Sequence, residues 1–289
     1  MVAHRIAAVC ELDPEWRQQS QVDSLAENQI HFWLIPLEEL PVTFSDGLCD
    51  GLTKRESDRA GKILDEGKRS LYAGGRIGLR MLLESYSGIN RDKLEFVYGE
   101  RGKPSLKSQA VGPRLEFNYT VSSGFALYAF SRGRDLGVDL EILPRKIESD
   151  LLAKRIMTKD ELGNWYRIPE QHRNMSMLAC WTRKEAYGKL LGVGIRYAMN
   201  EVDLFVHLHN PRWVSRVSGL FGGVESELRH ATGVQIGLPV PGAASVMYFN
   251  DAAEESIATD STGRNSGSGG ILDPELLGFM YSRGQEKLK

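Results

Sequence analysis

The pattern of apolar positions along the chain predicts several β-strands. The segment "IHFWLIPL" (30–37) is rich in β-branched and aromatic residues and is followed by Pro41, which is typical of a strand that ends at a breaker. Four later segments have the same character and also predict strands: "FALYAFS" (125–131), "LGVDLEI" (136–142), "EVDLFVHLHN" (201–210) and "ASVMYFN" (244–250). The turn "RGRD" joins the first two of these.

Helical periodicity occurs between the strands. The basic segment 52–86 carries apolar residues at helical spacing in its second half, and residues 154–165 and 174–191 also predict helices. The segment "YGERGKPSL" (98–106) is rich in turn-forming residues and predicts a loop. Because strands and helices do not alternate regularly, the sequence favours the α+β class.

The two ends of the chain differ from this central part. Residues 1–28 are polar and unpatterned, and we expect a loosely held extension. Residues 251–270 are acidic and rich in Ser and Gly, so they cannot bury enough apolar surface to order themselves and predict a linker. Residues 271–289 predict a short helix.

Composition narrows the class of protein. The 289 residues are 42% hydrophobic and 26% charged, with a formal net charge of −2, which is ordinary for a globular domain and gives no indication of a nucleic-acid partner. The three cysteines are isolated, and no apolar run approaches the ~20 residues of a membrane span. The apolar stretch near the N-terminus is too short for a signal peptide. We therefore expect a cytoplasmic protein without a membrane segment.

The strand segment "GVDLE" carries two acids one residue apart. Since side chains alternate along a strand, Asp139 and Glu141 share one face while Val138 and Leu140 share the other. An exposed edge strand often carries such charges. Here the neighbouring apolar run predicts a buried strand, in which paired acids need a cation.

A second segment, "WTRKEAYGKLLG" (181–192), places Trp181, Glu185 and Lys189 on one stripe of a helix, with Lys184 beside it. Taken alone, a Glu–Lys pair at this spacing is commonly a solvated surface pair. Together with Asp139 and Glu141, however, Glu185 would suit Mg²⁺, which prefers oxygen ligands and completes its shell with water and phosphate. Flanking lysines would neutralise the phosphate charge.

The two segments together resemble the paired signature of the Sfp-type 4′-phosphopantetheinyl transferases, (I/V)G(V/I)DxE and (F/W)xxKExxxKxxG. Every defined position matches, namely Gly137, Asp139, Glu141, Trp181, Lys184, Glu185, Lys189 and Gly192. Supporting resemblance lies upstream in "RGKP" (101–104), "FNYTVSSGFALYAFS" (117–131) and "YAGGRIGLR" (72–80), so that residues 30–250 are covered.

The resemblance implies an enzyme that transfers the phosphopantetheine arm of coenzyme A to a serine of an acyl, peptidyl or aryl carrier protein and releases 3′,5′-adenosine diphosphate. It implies two similar α+β halves, a cleft between them that holds coenzyme A, and a monomer. The predicted organisation is an extension at 1–28, a first half at 29–134, a second half with the catalytic motifs at 135–250, and a flexible tail at 251–289.

The resemblance also implies residue roles. Asp139, Glu141 and Glu185 would bind Mg²⁺, Glu185 would also be the base for the carrier serine, and Lys189 would stabilise or protonate the leaving diphosphate. The resemblance further implies that the phosphates of coenzyme A are contacted by Lys103, Thr120 and Lys184. It implies that Arg59 and Arg76 lie near the 3′-phosphate or pack beside it. For the two arginines, a solvated basic helix face is an equal alternative.

One position departs from the family pattern. Where the family commonly has Asn-x-Ser-His-Ser, this chain has "NYTVSS" (118–123), so that Val121 replaces a phosphate-contacting histidine and Thr120 replaces the preceding serine. Because valine cannot donate a hydrogen bond, we predict weaker binding of coenzyme A unless a neighbouring Lys or Arg compensates.

Two other functions remain open from the sequence. The first is a non-catalytic module that binds coenzyme A or a carrier protein. The second is another Mg²⁺-dependent nucleotide enzyme, which the chain supports poorly because it has neither GxxxxGK[ST] nor GxGxxG after a strand. His207 and His209 alternate on a predicted strand, but a third metal ligand is not near them in sequence. Acidic carrier proteins would suit the basic helix 54–80 or the segment 144–155 as a docking surface.

Overall fold

The computed structural model describes residues 22–45, 48–107, 112–144, 147–193, 199–204 and 229–249, except 23, 28 and 101. It also describes the backbone alone of residues 3–7, 18–19, 212–217 and 277–282, and at positions 229, 230 and 232 within the range above.

Within these residues the chain forms five α-helices: α1 (Lys54–Gly61), α2 (Glu66–Ser87), α3 (Ser149–Ile156), α4 (Lys159–Trp165) and α5 (Glu170–Leu190). The described strands are β1 (Ala3–Ala7), β2 (Gln18–Gln19), β3 (Ile30–Pro36), β4 (Phe44–Ser45), β5 (Leu48–Cys49), β6 (Phe96–Tyr98), β7 (Pro104–Leu106), β8 (Leu115–Ser122), β9 (Phe125–Arg132), β10 (Leu136–Ile142), β11 (Arg212–Val217), β12 (Arg229–Ile236), β13 (Gly242–Phe249) and β14 (Leu277–Ser282). The described residues also form three short 3₁₀ helices, at Leu37–Glu39, Arg91–Lys93 and Met199–Glu201.

Two sheets form the centre of the molecule. The larger has the order β2-β1-β14-β3-β9-β8, and the smaller has the order β10-β13-β12-β11. Neighbouring strands are antiparallel except for β14 and β3, which are parallel. The mixture of helices with mainly antiparallel sheets confirms the predicted α+β class.

Alternation along the strands creates three apolar layers. On β3, Phe32 and Leu34 lie in a core shared with Val138 and Leu140 of β10, so that the two sheets pack face to face. The opposite face of β3 presents Trp33 to a second core, which contains residues of α2. A third core joins α5 to the outer face of the smaller sheet. Each sheet is therefore covered by one long helix.

Two predicted helices are each divided in two, because a second helix with its own N-cap begins inside each predicted segment. Within 52–86, α2 has its N-cap at Asp65, whose side chain accepts from the Lys68 N–H. Within 154–165, α4 has its N-cap at Thr158 with a capping box, in which the threonine side chain pairs with the backbone of Glu161 three residues later. Helical periodicity alone does not show these starts, so both segments were predicted as continuous helices.

Three further expectations differ from the structure. Strands β9 and β10 exist as predicted but belong to different sheets, so "RGRD" is a crossover rather than a hairpin turn. Residues 277–282 form a strand between β1 and β3, where we expected a helix. Strands β1 and β2 lie within the segment expected to be unpatterned.

Other expectations are not decided by the structure. The predicted strand at 201–210 falls largely on residues 205–210, which lie outside the described part, as does the predicted linker at 251–270. The four domain boundaries stay predictions. Among the described helices, none combines the length and the apolar character needed to cross a membrane.

Candidate active site

The candidate site lies along one edge of β10. This strand is the outermost strand of the smaller sheet, and its other side adjoins β8, the outermost strand of the larger sheet. No backbone ladder links β8 to β10 among the described pairings. Side chains instead provide the hydrogen bonds that an edge strand needs.

Gly137 lets α5 approach β10 closely. A Cβ atom at this position would overlap the helix backbone, coming within 2.9 Å of the carbonyl carbon of Lys189. On the same face of β10 lies Asp139, whose Oδ1 accepts a 2.7 Å hydrogen bond from Lys189 Nζ. The glycine of the first motif therefore allows the lysine of the second motif to reach the aspartate.

Strand β8 presents a row of polar side chains to β10. Asn118 Oδ1 accepts from the Val138 N–H at 3.0 Å, and Thr120 Oγ1 donates to Asp139 Oδ1 at 3.1 Å. At the end of the row, Ser122 Oγ donates to Glu141 Oε2 at 3.2 Å and accepts from the Ile142 N–H at 3.2 Å. Side chains of both strands alternate with a two-residue period, so successive polar residues of β8 meet successive groups of β10.

Sequence reasoning identified Thr120 but not Asn118 or Ser122. The signal was present in "NYTVSS", where polar residues occupy positions 118, 120 and 122 in strict alternation. Together with the alternating acids of "GVDLE", this alternation indicates that the polar sides of the two strands contact each other.

Lys103 and Lys189 bind to the same edge of β10. Lys103 Nζ donates to the carbonyl oxygens of Leu136 and Leu190, each at 3.2 Å, and Lys189 Nζ donates to that of Val138 at 3.0 Å. Carbonyl groups two residues apart on one strand edge are about 7 Å from each other. The two ammonium groups are therefore spaced along one line, with the "RGKP" loop at one end and α5 at the other.

The acidic residues are buried in an excess of negative charge. Burial, together with the charges of Asp139 and Glu141, raises the pKa of Glu185 to about 7, although Lys189 opposes this shift. Burial also raises the pKa of Asp139. Lys189 lowers this pKa, whereas the charge of Glu141 raises it further. The buried atoms Asp139 Oδ2 and Glu185 Oε1 have no hydrogen-bond partner.

The unpartnered oxygens bear on the predicted metal. Within the described residues, no three Asp, Glu, His or Cys side chains are already gathered as a chelating group. Nevertheless, two buried carboxylate oxygens without partners are costly unless something binds them, and oxygen is the donor that Mg²⁺ prefers. The donor set of Asp139, Glu141 and Glu185 therefore fits a hard divalent cation.

Lys184 lies outside this cluster. Its side chain is fully buried, and Nζ contacts Glu161 Oε2 at 2.7 Å and the carbonyl oxygens of Met199 and Val202 at 2.7 and 2.5 Å. These partners account for the three N–H groups of the ammonium. The expectation that Lys184 neutralises phosphate therefore needs correction, because its position on α5 directs it into the third core.

Arg76 is likewise enclosed, whereas Arg59 is exposed. Arg76 Nε donates to Glu56 Oε1 at 2.8 Å and Arg80 Nε donates to Glu56 Oε2 at 2.8 Å, and both guanidinium groups lie over the ring of Phe96. Of the two alternatives for Arg76, this position favours packing. The guanidinium of Arg59 lies over the ring of Tyr72, 5.6 Å from its centroid, and remains available to a ligand.

Val121 points away from Asp139. Because it is one residue from Thr120 on the same strand, its side chain lies on the face that packs against α2, and its Cγ2 would be 3.0 Å from a Cβ at Gly75. His207 and His209 lie outside the described residues.

Comparison with known proteins agrees with this site. Residues 135–235, which include Asp139, Glu141, Glu185 and Lys189, match the model of the 4′-phosphopantetheinyl transferase superfamily. The chain is 32% identical over 193 residues to the 4′-phosphopantetheinyl transferase HetI of a Nostoc strain, an alignment that covers 67% of this chain and 81% of HetI. The chain belongs to this family of transferases, as the paired motifs predicted.

Two other relatives have lower identity. A putative 4′-phosphopantetheinyl transferase of a Synechocystis strain is 28% identical over 60% of this chain and 69% of its own length. The L-aminoadipate-semialdehyde dehydrogenase-phosphopantetheinyl transferase of Mus musculus is 23% identical over 52% of each chain.

Proposed function

We propose that this chain is an Sfp-type enzyme that transfers 4′-phosphopantetheine from coenzyme A to a serine of an acyl, peptidyl or aryl carrier protein, with Mg²⁺ as cofactor. The observation that carries the proposal is the juxtaposition of unpartnered oxygens on Asp139 and Glu185 with the ammonium groups of Lys189 and Lys103. A cation would bind the two unpartnered carboxylate oxygens, and a diphosphate would accept hydrogen bonds from the two ammonium groups.

The two lysines would bind the diphosphate of coenzyme A. The carbonyl groups of Leu136 and Val138 that they bind are two residues apart on β10, about 7 Å, so both lysines could reach one diphosphate. Binding would draw the ammonium groups from the backbone carbonyls to the phosphate oxygens, because charge-assisted hydrogen bonds are stronger than those to neutral acceptors. Thr120 would keep Asp139 in place when Lys189 turns to the substrate.

The reaction would be a displacement at the phosphorus that carries the pantetheine arm. The carrier serine oxygen forms the new O–P bond, its proton passes to Glu185, and the bond to the leaving 3′,5′-adenosine diphosphate breaks. Without a bound cation, burial and the charges of Asp139 and Glu141 raise the pKa of Glu185 to about 7; a bound cation would favour the ionised carboxylate, which can then accept the proton. Lys189 stabilises or protonates the leaving diphosphate oxygen. Bound Mg²⁺ would neutralise diphosphate charge, and Asp139, Glu141 and Glu185 would hold it.

The site would lie in a cleft between two similar halves, 29–134 and 135–250. In support, each half packs one long helix on one sheet, α2 on the larger and α5 on the smaller. The row of contacts from β8 to β10 then joins the halves at the site. Arg59, exposed on the α2 side, is the better placed of the two arginines for the 3′-phosphate of the nucleotide.

An acidic carrier protein would dock beside the motif helix, where the exposed Lys154 and Arg155 adjoin an apolar groove. The apolar lining of the groove is Ile147, Leu151, Leu152, Leu178 and Trp181, its charged lining is Arg155 and Glu148, and Leu151 is 63% exposed. Charge reversal at Lys154 and Arg155 should weaken carrier binding at low salt. The unpaired, buried thiols of Cys49 and Cys180 support a cytoplasmic protein, and we propose a monomer that acts without nucleic acid or membrane.

Intact-mass analysis tests the proposed reaction directly. An apo carrier protein is incubated with the enzyme, coenzyme A and Mg²⁺, and a gain of roughly 340 Da marks covalent attachment of the arm. The gain should require Mg²⁺ and should be lost with Glu185→Gln. Coenzyme A binding without a mass gain on any of several carriers would instead support the non-catalytic binding module.

A further inference from the structure

Ser122 connects the backbone of β10 to one of the acids of the site. Its hydroxyl oxygen accepts from the Ile142 N–H at 3.2 Å and donates to Glu141 Oε2 at 3.2 Å. A serine hydroxyl has one proton to donate. Because the peptide N–H already occupies a lone pair of the oxygen, the orientation of this proton toward the carboxylate is favoured.

The position of Ser122 is itself fixed. Four residues earlier on the same face of β8, Asn118 accepts from the Val138 N–H at 3.0 Å, so β8 and β10 are tied at two points along their length. Glu141 is the mobile member of the pair, since it has three side-chain torsions whereas serine has one. The hydroxyl therefore restrains the carboxylate, and the backbone restrains the hydroxyl.

We infer that Ser122 is a positioning residue that holds the Glu141 carboxylate in the orientation needed to bind a divalent cation. The inference rests on the proposed function. Groups that orient metal ligands commonly change metal affinity by about 10–100-fold when they are removed.

Cation affinity can be measured without catalysis. We would titrate Mn²⁺ into the protein in the presence of coenzyme A and determine free Mn²⁺ from its electron paramagnetic resonance signal, subtracting Mn²⁺ bound by coenzyme A alone. The variants are Ser122→Ala, Ser122→Thr and Ser85→Ala. Ser85 is a matched control because its exposed hydroxyl also donates to a protein oxygen, that of Met81 at 3.1 Å.

We expect Ser122→Ala to raise the apparent Kd for Mn²⁺ about 10-fold or more, Ser122→Thr to restore it, and Ser85→Ala to match the wild type. Thermal unfolding of each variant without cation separates this effect from loss of the fold. Equal Mn²⁺ affinity in Ser122→Ala and wild type would overturn the inference, as would a loss that threonine fails to restore. Absence of Mn²⁺ binding in the wild type would overturn the proposed cation site as well.

Discussion

Two buried carboxylate clusters, one in each part of the molecule, have opposite electrostatics. Glu56 lies between two arginines, Arg76 and Arg80, and accepts further hydrogen bonds from Thr53. Burial would raise its pKa, but the arginines and Thr53 outweigh this and lower the pKa to about 2. Around Glu185, three acids share one nearby ammonium, and its pKa rises to about 7.

The difference indicates what each cluster is for. In the Glu56 cluster the cations are supplied by the protein, so the group is complete and stabilises the packing of α1 on α2. In the Glu185 cluster the cations supplied by the protein are too few, and buried oxygens remain without partners. A site that is electrostatically incomplete by itself is typical of one that binds charged ligands.

The largest expected effect is on the complete cluster. Glu56→Gln leaves two buried arginines without a counter-charge and should lower the free energy of unfolding by about 3–5 kcal/mol. Denaturant unfolding measures the loss. Glu84→Gln is the control, because Glu84 pairs with the half-exposed Arg91 at 3.5 Å and should change stability by less than about 1 kcal/mol.

The Glu56 cluster also predicts that the protein loses stability at acid pH. The pKa of Glu56 is about 2 in the folded protein and about 4.5 ordinarily, so its contribution is present above pH 4.5 and is lost as the pH falls toward 2. The shift corresponds to about 3 kcal/mol. If Glu56→Gln lost as much stability at acid pH as the wild type, the assignment of this loss to Glu56 would be wrong.

A comparably large effect is expected at the buried lysine of the motif helix. Lys184→Met leaves Glu161 buried without its ammonium partner and should cost about 3–5 kcal/mol of stability. Because Lys184 faces the third core, the KM for coenzyme A should stay near that of the wild type. The double variant Lys184→Met/Glu161→Gln should recover part of the stability.

Lys103→Met provides the opposite pattern. It should raise the KM for coenzyme A about 10-fold, the loss expected of one charge-assisted hydrogen bond, with a smaller effect on unfolding. A rise in KM for Lys184→Met at unchanged stability would restore the phosphate role first expected of it.

In the cluster around Glu185, removal of one negative charge should raise stability, by somewhat less than the changes above. The raised pKa of Glu185 means that its stability contribution is present below pH 4.5 and is lost as the pH rises toward 7. Without divalent cations, Glu185→Gln should therefore be more stable than wild type by up to about 3 kcal/mol at pH 8 and nearly equal at pH 4. Thermal unfolding in a chelator measures this.

Glu100→Gln, an exposed change in a turn, should show no such pH-dependent difference. A loss of stability for Glu185→Gln at pH 8 would show that the cluster is complete without a ligand, and would remove the contrast with Glu56.

The smallest effect is expected at Val121. Introducing Val121→His should lower the KM for coenzyme A by roughly threefold, less than 1 kcal/mol, by adding a hydrogen-bond donor where the family pattern has one. Val121→Phe controls for the larger volume against Gly75. An unchanged KM would contradict the prediction that valine weakens coenzyme A binding.

Much of the site could be predicted because its residues follow local periods. Strand alternation predicted that Asp139 and Glu141 share a face, and helical spacing predicted that Glu185 and Lys189 share a stripe. In the structure Lys189 contacts Asp139. The row Asn118, Thr120 and Ser122 obeys the same two-residue period, but its partner strand could not be identified from local pattern.

The sequence by itself determined the central strands β3, β9 and β10, the paired motifs and thereby the family. The tertiary structure alone decided that the edge of β8 meets the edge of β10 and which lysines face the site. Lys184 and Lys189 share one motif, yet about 100° per residue places them about 140° apart around α5. One consequently pairs with Glu161 inside the core and the other with Asp139 at the site. Long-range packing determines which side of a helix meets a core. Local residue spacing therefore does not predict it.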